Sequence, residues 1–211
     1  MSLERSRPSE RERAVAAERE RIMRELHDGL GGMLVSALAM VEDGSGSADQ
    51  VAEVLRDALD EMRLVVDSLD PEIADLPALL GTLRTRLEPR LAGRGLRFEW
   101  EVDEVPVPAL PPGGSWHVLR ILQEAVTNVR KHAAARVITI ATGTRVDGDG
   151  RPGVWVAIRD DGRGIASDAA PGRGFANMRY RTAELGGALA IVPASPGTAV
   201  ELWLPVPSRK A

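Results

Sequence analysis

The sequence predicts a chain of class α plus α/β: a helical hairpin over residues 10–72 that pairs with a second copy into a dimeric four-helix bundle, followed by a mixed α/β domain over 75–207. Three observations predict it. An apolar stripe of helical period is broken once, at Asp43-Gly44-Ser45-Gly46-Ser47. Strand-like alternation begins only near Leu96, and from there Gly-rich loops separate the strand-like segments. Composition sets the outer bounds. The 211 residues are 44% hydrophobic and 27% charged, the balance of a globular protein. There is no cysteine, so thiol nucleophiles, disulfides and cysteine zinc sites are excluded. A net charge of -4 argues against a chain that grips nucleic acid by bulk electrostatics, and no direct nucleic-acid contact is expected. No apolar run is long enough to cross a bilayer or to serve as a signal-peptide core, so the expected address is cytoplasmic. Aromatic residues make up only 3%, which leaves an aliphatic core.

The first helix opens on a run of Glu and Arg around Ala14-Val15-Ala16-Ala17, with opposite charges at i,i+4 spacing. Its stripe is Ile22, Leu26, Leu30, Met33, Ala37 and Val41; the stripe of the second helix is Val51, Leu55, Ala58, Met62, Val65 and Leu69, ended by Asp70-Pro71. Two amphipathic helices alone cannot bury both stripes, and a second copy is the natural cover. A third helical pattern runs through Leu79, Leu80, Leu83 and Leu87. Leu96, Phe98, Trp100 and Val102 then alternate with polar residues as in a half-buried strand. A Pro-rich loop through Pro106, Pro108, Pro111, Pro112 and Gly113-Gly114 precedes a helix over 115–132. Strands follow at 137–142, 154–159 and 199–204.

Candidate chemistry falls in a few places. His27 is one of three histidines and lies at the margin of the first stripe beside Asp28. A solvated surface role is the bland reading. A metal site would need partner histidines that the chain can hardly supply. As a nucleophile, imidazole attacks phosphorus well, and an adjacent carboxylate can orient the ring and take its proton. Glu124, Asn128 and His132 stand at i, i+4 and i+8, one helical face that calls for either solvent or a ligand, and the hard oxygens of Glu124 and Asn128 suit Mg²⁺ shared with phosphates. Asp160-Asp161-Gly162-Arg163-Gly164 follows a strand, and Gly172-Arg173-Gly174 and Gly197-Thr198 come after it. Such glycines let backbone approach a ligand, although turns also favour Asp and Gly. No dinucleotide fingerprint and no Walker-type loop is present.

The order of these clusters carries a resemblance. Residues 20–31, Glu-Arg-Ile-Met-Arg-Glu-Leu-His-Asp-Gly-Leu-Gly, resemble the phospho-acceptor box of the nitrate-sensor-type subfamily of two-component histidine kinases. Gln123–Ala133 is similar to the N box of the GHKL (Bergerat-fold) ATPases, Asp160–Ile165 to their first glycine box, Gly172–Arg181 to their second and Gly197-Thr198 to their third. The resemblance spans roughly residues 12–205 with all five motifs in order.

It implies a GHKL-type α/β sandwich that binds ATP and Mg²⁺, with His27 phosphorylated and Asp28 accepting its proton. Asn128 would hold Mg²⁺ with help from Glu124, and Lys131 and His132 would lie near the phosphates. Asp160 would recognise the adenine amino group, supported by Thr198. Gly162 and Gly164 would shape the adenine pocket, while 166–173 would form a lid hinged at Gly172 and Gly174. The implied partners are a second copy of the chain and a response regulator, usually a DNA-binding one. Membrane attachment would come only through a sensor region, which such relatives carry ahead of the hairpin. One departure stands out: where many relatives place a water-orienting glutamine five residues after the acceptor histidine, this chain has Gly32. Two rivals remain at this level, a GHKL serine kinase acting on an anti-sigma-factor partner and a nucleotide-binding scaffold without catalysis.

Overall fold

The computed structural model describes residues 10–68, 76–93, 95–165 and 172–207. The chain divides between Ile73 and Ala74 into two compact units.

The first unit is the hairpin of helices α1 (Glu10–Glu42) and α2 (Ala48–Ser68). The Glu/Arg run and the first stripe form one continuous helix of 33 residues. The turn between the helices is built from its own polar side chains. The Asp43 carboxylate accepts the Ser45 N–H at 2.9 Å, and Gly44 takes the positive φ of 67° that the reversal needs. Ser47 and Gln50 then form a reciprocal capping box: the Gln50 N–H donates to Ser47 Oγ at 3.2 Å and the Ser47 N–H to Gln50 Oε1 at 2.7 Å. The stop signal at Asp70-Pro71 lies outside the described residues.

In the second unit, helix α3 (Leu76–Ala92) buries Leu76, Leu79, Leu80, Leu83, Leu87 and Leu91. Strand β1 (Arg97–Glu101) leads through the Pro-rich loop into helix α4 (Gly114–Asn128). Strands β2 (Val137–Val146) and β3 (Pro152–Asp160), helix α5 (Arg173–Glu184), and strands β4 (Ala188–Pro193) and β5 (Thr198–Pro205) complete it. The sheet order is β1-β2-β3-β5-β4. Only the β1–β2 pair is parallel, as its connection through α4 requires. One face of the sheet carries Ile138, Ile140, Val154, Val156, Ile158, Leu202 and Leu204, all buried, and α3, α4 and α5 pack with one another and against the sheet.

The opposite face has a different device. Trp155 pairs across strands with Trp203, and their rings lie over Gly143 and Gly153, where any Cβ would overlap an indole. Arg159 stacks on Trp155 at 5.8 Å and Arg151 on Trp203 at 5.7 Å. The Trp203 indole N–H donates to the Arg145 carbonyl at 3.0 Å.

The helix expected over 115–132 is corrected in its last turn. It is α-helical only to Asn128 and continues as a π-helical turn over Val129–Ala133.

Candidate active site

The site is built where β3 ends and β5 begins, beside α4. Asp160 closes β3 one position beyond the Arg159–Ala199 pair, which puts it next to Thr198 at the start of β5. Both side chains are buried, Asp160 at 7% and Thr198 at 7% exposure. A carboxylate in that position requires donors. One comes from the following turn, where the Gly162 N–H donates to Asp160 Oδ1 at 2.9 Å.

The glycines around Asp160 are there for space. A Cβ on Gly162 would overlap the Ala133 carbonyl oxygen, and one on Gly197 would overlap the Asp160 carbonyl oxygen. Gly197 also has φ 94° and Gly164 φ 74°, both in the region that favours glycine. Asp160 thus sits in a cup walled by backbone.

Glu124 and Asn128 lie one turn apart on α4, both half-buried, whereas Lys131 and His132 on the π turn are exposed. A Cβ on Gly174 would overlap Glu124 Oε1, so that glycine lets the first turn of α5 seat against the Glu124 carboxylate. Gly172 differs. It precedes α5 with extended backbone (φ -70°, ψ 173°) and open space where a side chain would go. Residues 166–171 of the expected lid lie outside the described residues.

Among the described residues no group of three or more His, Asp or Glu side chains could cage a metal. The donor set on α4 is one carboxylate and one carboxamide. That is too little for an all-protein site and suits an ion such as Mg²⁺ that takes its remaining ligands from phosphate and water.

In the first unit, His27 is exposed on α1, and Asp28 follows it on the same helix. Gly32, one turn further on, is also exposed, with open space around the position of an added Cβ.

Two residues of the first glycine box had no assigned role in the sequence. The Asp161 carboxylate accepts the N–H groups of Arg136 at 2.7 Å and Val137 at 2.9 Å, which fixes the start of β2. The Val137 N–H, joined by that of Arg136, holds the Asp161 carboxyl below the usual carboxylate range against the opposing effect of burial. Arg163 bonds to the end of the π turn through both main chain and side chain. The only signal for either was position, directly after a strand and between glycines.

Comparison with known proteins identifies the family. The family model described as histidine kinase matches residues 18–86, and that of the histidine kinase-, DNA gyrase B- and HSP90-like ATPases matches residues 114–208. The chain belongs to the histidine kinase family. It is 31% identical over 207 residues to the sensor histidine kinase YxjM of Bacillus subtilis, covering 92% of this chain and 48% of that protein. To the nitrate/nitrite sensor protein NarQ of Escherichia coli it is 31% identical over 206 residues, covering 88% of this chain and 34% of that one. This kinase chain therefore spans about half or less of the length of these two relatives. Among solved structures, the histidine kinase domain of the blue-light activated histidine kinase from Erythrobacter litoralis shares its fold, with a TM-score of 0.58 at 20% identity, covering 92% of this chain and 91% of that one. Among the described residues no helix is long and apolar enough to cross a membrane.

Proposed function

We propose that the chain is the catalytic core of a sensor histidine kinase, dividing its work between a phosphotransfer and dimerisation hairpin at 10–72 and an ATP-binding domain at 75–207. The observation that carries this reading is the buried Asp160–Thr198 pair inside its glycine walls, joined in one chain to an exposed histidine on a long helix. A buried carboxylate beside a hydroxyl is suited to an exocyclic amino group such as that of adenine. Gly162 and Gly197 allow a flat ring to approach, and Gly164 shapes the turn beyond.

Glu124 and Asn128 would hold Mg²⁺, which when bound neutralises phosphate charge. Lys131 adds positive charge and His132 a hydrogen-bonding ring from the turn that follows Asn128. The first turn of α5, capped by Gly172 and containing Gly174, would present backbone N–H groups to phosphate oxygens. The His27 imidazole attacks the γ-phosphorus, the bond to the β-γ bridging oxygen breaks, ADP leaves, and Asp28 takes the imidazole proton. The phosphoryl group then passes to an aspartate of a response regulator. Little covalent chemistry falls to the protein in such a transfer beyond placing the reactants and compensating charge. The chain acts as a homodimer and makes no contact with DNA of its own.

The deciding test is autophosphorylation with γ-labelled ATP. Wild type should acquire an acid-labile label, and His27→Ala should acquire none while still binding ATP. An acid-stable label would point to a hydroxyl acceptor and a serine kinase. ATP binding without any label would leave a scaffold.

A further inference from the structure

The π-helical turn Val129–Ala133 ends at Ala134, whose φ of 52° reverses the chain. A helix that stops leaves its last carbonyl groups without intrahelical donors. Two of them are met from outside the helix by one residue of the first glycine box. Arg163 donates its Nε–H to the His132 carbonyl at 2.7 Å and its backbone N–H to the Ala133 carbonyl at 2.9 Å. A guanidinium there also faces the negative end of the helix dipole, and its hydrogen bond is charge-assisted. Between these contacts lies Gly162, with no room for a Cβ against Ala133.

Exposed carbonyls at a helix end can bond to water, so folding alone does not demand this clamp. Its consequence is positional. Lys131 and His132 are exposed and project from the last turn of a helix, where packing holds a backbone least. Asp160, by contrast, is anchored in β3 and by the Gly162 N–H whatever residue occupies 163.

We propose that Arg163 is a positioning residue: it clamps the π turn to the adenine loop and so holds the phosphate-side residues Lys131 and His132 in register with Asp160. The proposal rests on the nucleotide-binding reading given above.

Two near-isosteric substitutions test it. In Arg163→Met a methyl carbon replaces Nε and the donor is lost. In Arg163→Gln the amide nitrogen stands where Nε stood, so the donor stays while the charge goes. Calorimetry on the whole chain should show Arg163→Met binding ATP–Mg²⁺ up to about tenfold more weakly, the scale of one hydrogen bond. Adenosine should bind that variant within twofold of wild type, and Arg163→Gln should stay close to wild type for both ligands. Without nucleotide, hydrogen exchange at the amides of 132–136 should be faster in Arg163→Met than in wild type or Arg163→Gln.

If Arg163→Gln binds ATP–Mg²⁺ as weakly as Arg163→Met, the guanidinium acts by charge and the clamp is wrong. Equal losses of adenosine and ATP, or no loss of either, also overturn it. Should wild type bind neither ligand, the nucleotide reading itself fails, and unchanged exchange in Arg163→Met would then remove the clamp independently.

Discussion

On the proposed reading Asp160 and Asn128 would serve opposite ends of the same nucleotide, so their losses should be distinguishable. Asp160 is buried, and on that reading removing its carboxylate would take away one hydrogen bond to the base, about 1–3 kcal/mol or one to two decades of affinity. Asp160→Ala should therefore weaken ATP and ADP alike, with or without Mg²⁺. Asn128→Ala should bind ADP almost normally in the absence of Mg²⁺ and lose the gain that the ion brings. Identical Mg²⁺ dependence of both variants in calorimetry would contradict this division. Gly32 allows a second residue-scale test. Hydrolysis of a regulator's aspartyl phosphate needs a water aligned with phosphorus, and Gly32 has no side chain to align one. The position is exposed with open space around it, so a glutamine fits without displacing a neighbour. We expect wild type to have little phosphatase activity and Gly32→Gln to raise it, with α1 also stabilised by about half a kcal/mol. The measurement is the decay of purified phosphorylated regulator with each chain plus ADP, and rapid decay with wild type would show that another residue aligns the water.

At the scale of elements, the Asp161 contact to the start of β2 should give the second unit a marked acid limb. The folded-state pKa of Asp161 is depressed relative to an unfolded value of about 3.9. Its contribution is thus present above that value and is lost as pH falls through the folded pKa, below about pH 4. Asp161→Asn keeps an acceptor for the two N–H groups but cannot titrate. Urea midpoints between pH 3 and 6 should therefore fall less steeply on the acid side for this variant than for wild type, and parallel limbs would count against the contact. Asp161 also shows what the sequence left illegible. The hairpin, α3 and the strands β2, β3 and β5 were legible because long stripes or alternation mark them, and Asp160, Gly162 and Gly197 because their motifs stand in order. Helix α5 was not read as an element: Met178 is its main buried apolar residue, and its first turn is seated by Gly174 on Glu124, a contact between motifs that spacing does not express. Strand β4 is an edge strand with small outward residues, Ala188 and Ala190, and no polar alternation. The π turn is too short for any periodicity. The tryptophans laid over Gly143 and Gly153 form pairs only once the strand register is known.

At the scale of the whole molecule, the two units treat their apolar surface differently. In the second unit the large side chains of the core, among them Trp116, Ile121, Ile138, Ile140 and Met178, are fully enclosed. In the hairpin, Leu34, Leu38 and Val41 stand exposed at i, i+4 and i+7 of α1, and Leu55, Leu59 and Met62 repeat that spacing on α2. An apolar stripe of this length on each of two neighbouring helices is a packing face, and a second copy would cover both by completing four helices. Covering a leucine is worth about 1.5 kcal/mol or more per side chain, and a symmetric dimer counts each residue twice. Leu59→Glu should therefore cost about 3 kcal/mol or more of association, raising the dimer dissociation constant at least about a hundredfold. ATP binding belongs to the other unit and should be unchanged in that variant. For the same reason a fragment of residues 75–207 should be monomeric in light scattering and still bind ATP. A dimer from that fragment, or an undisturbed dimer in Leu59→Glu, would move the interface away from the hairpin.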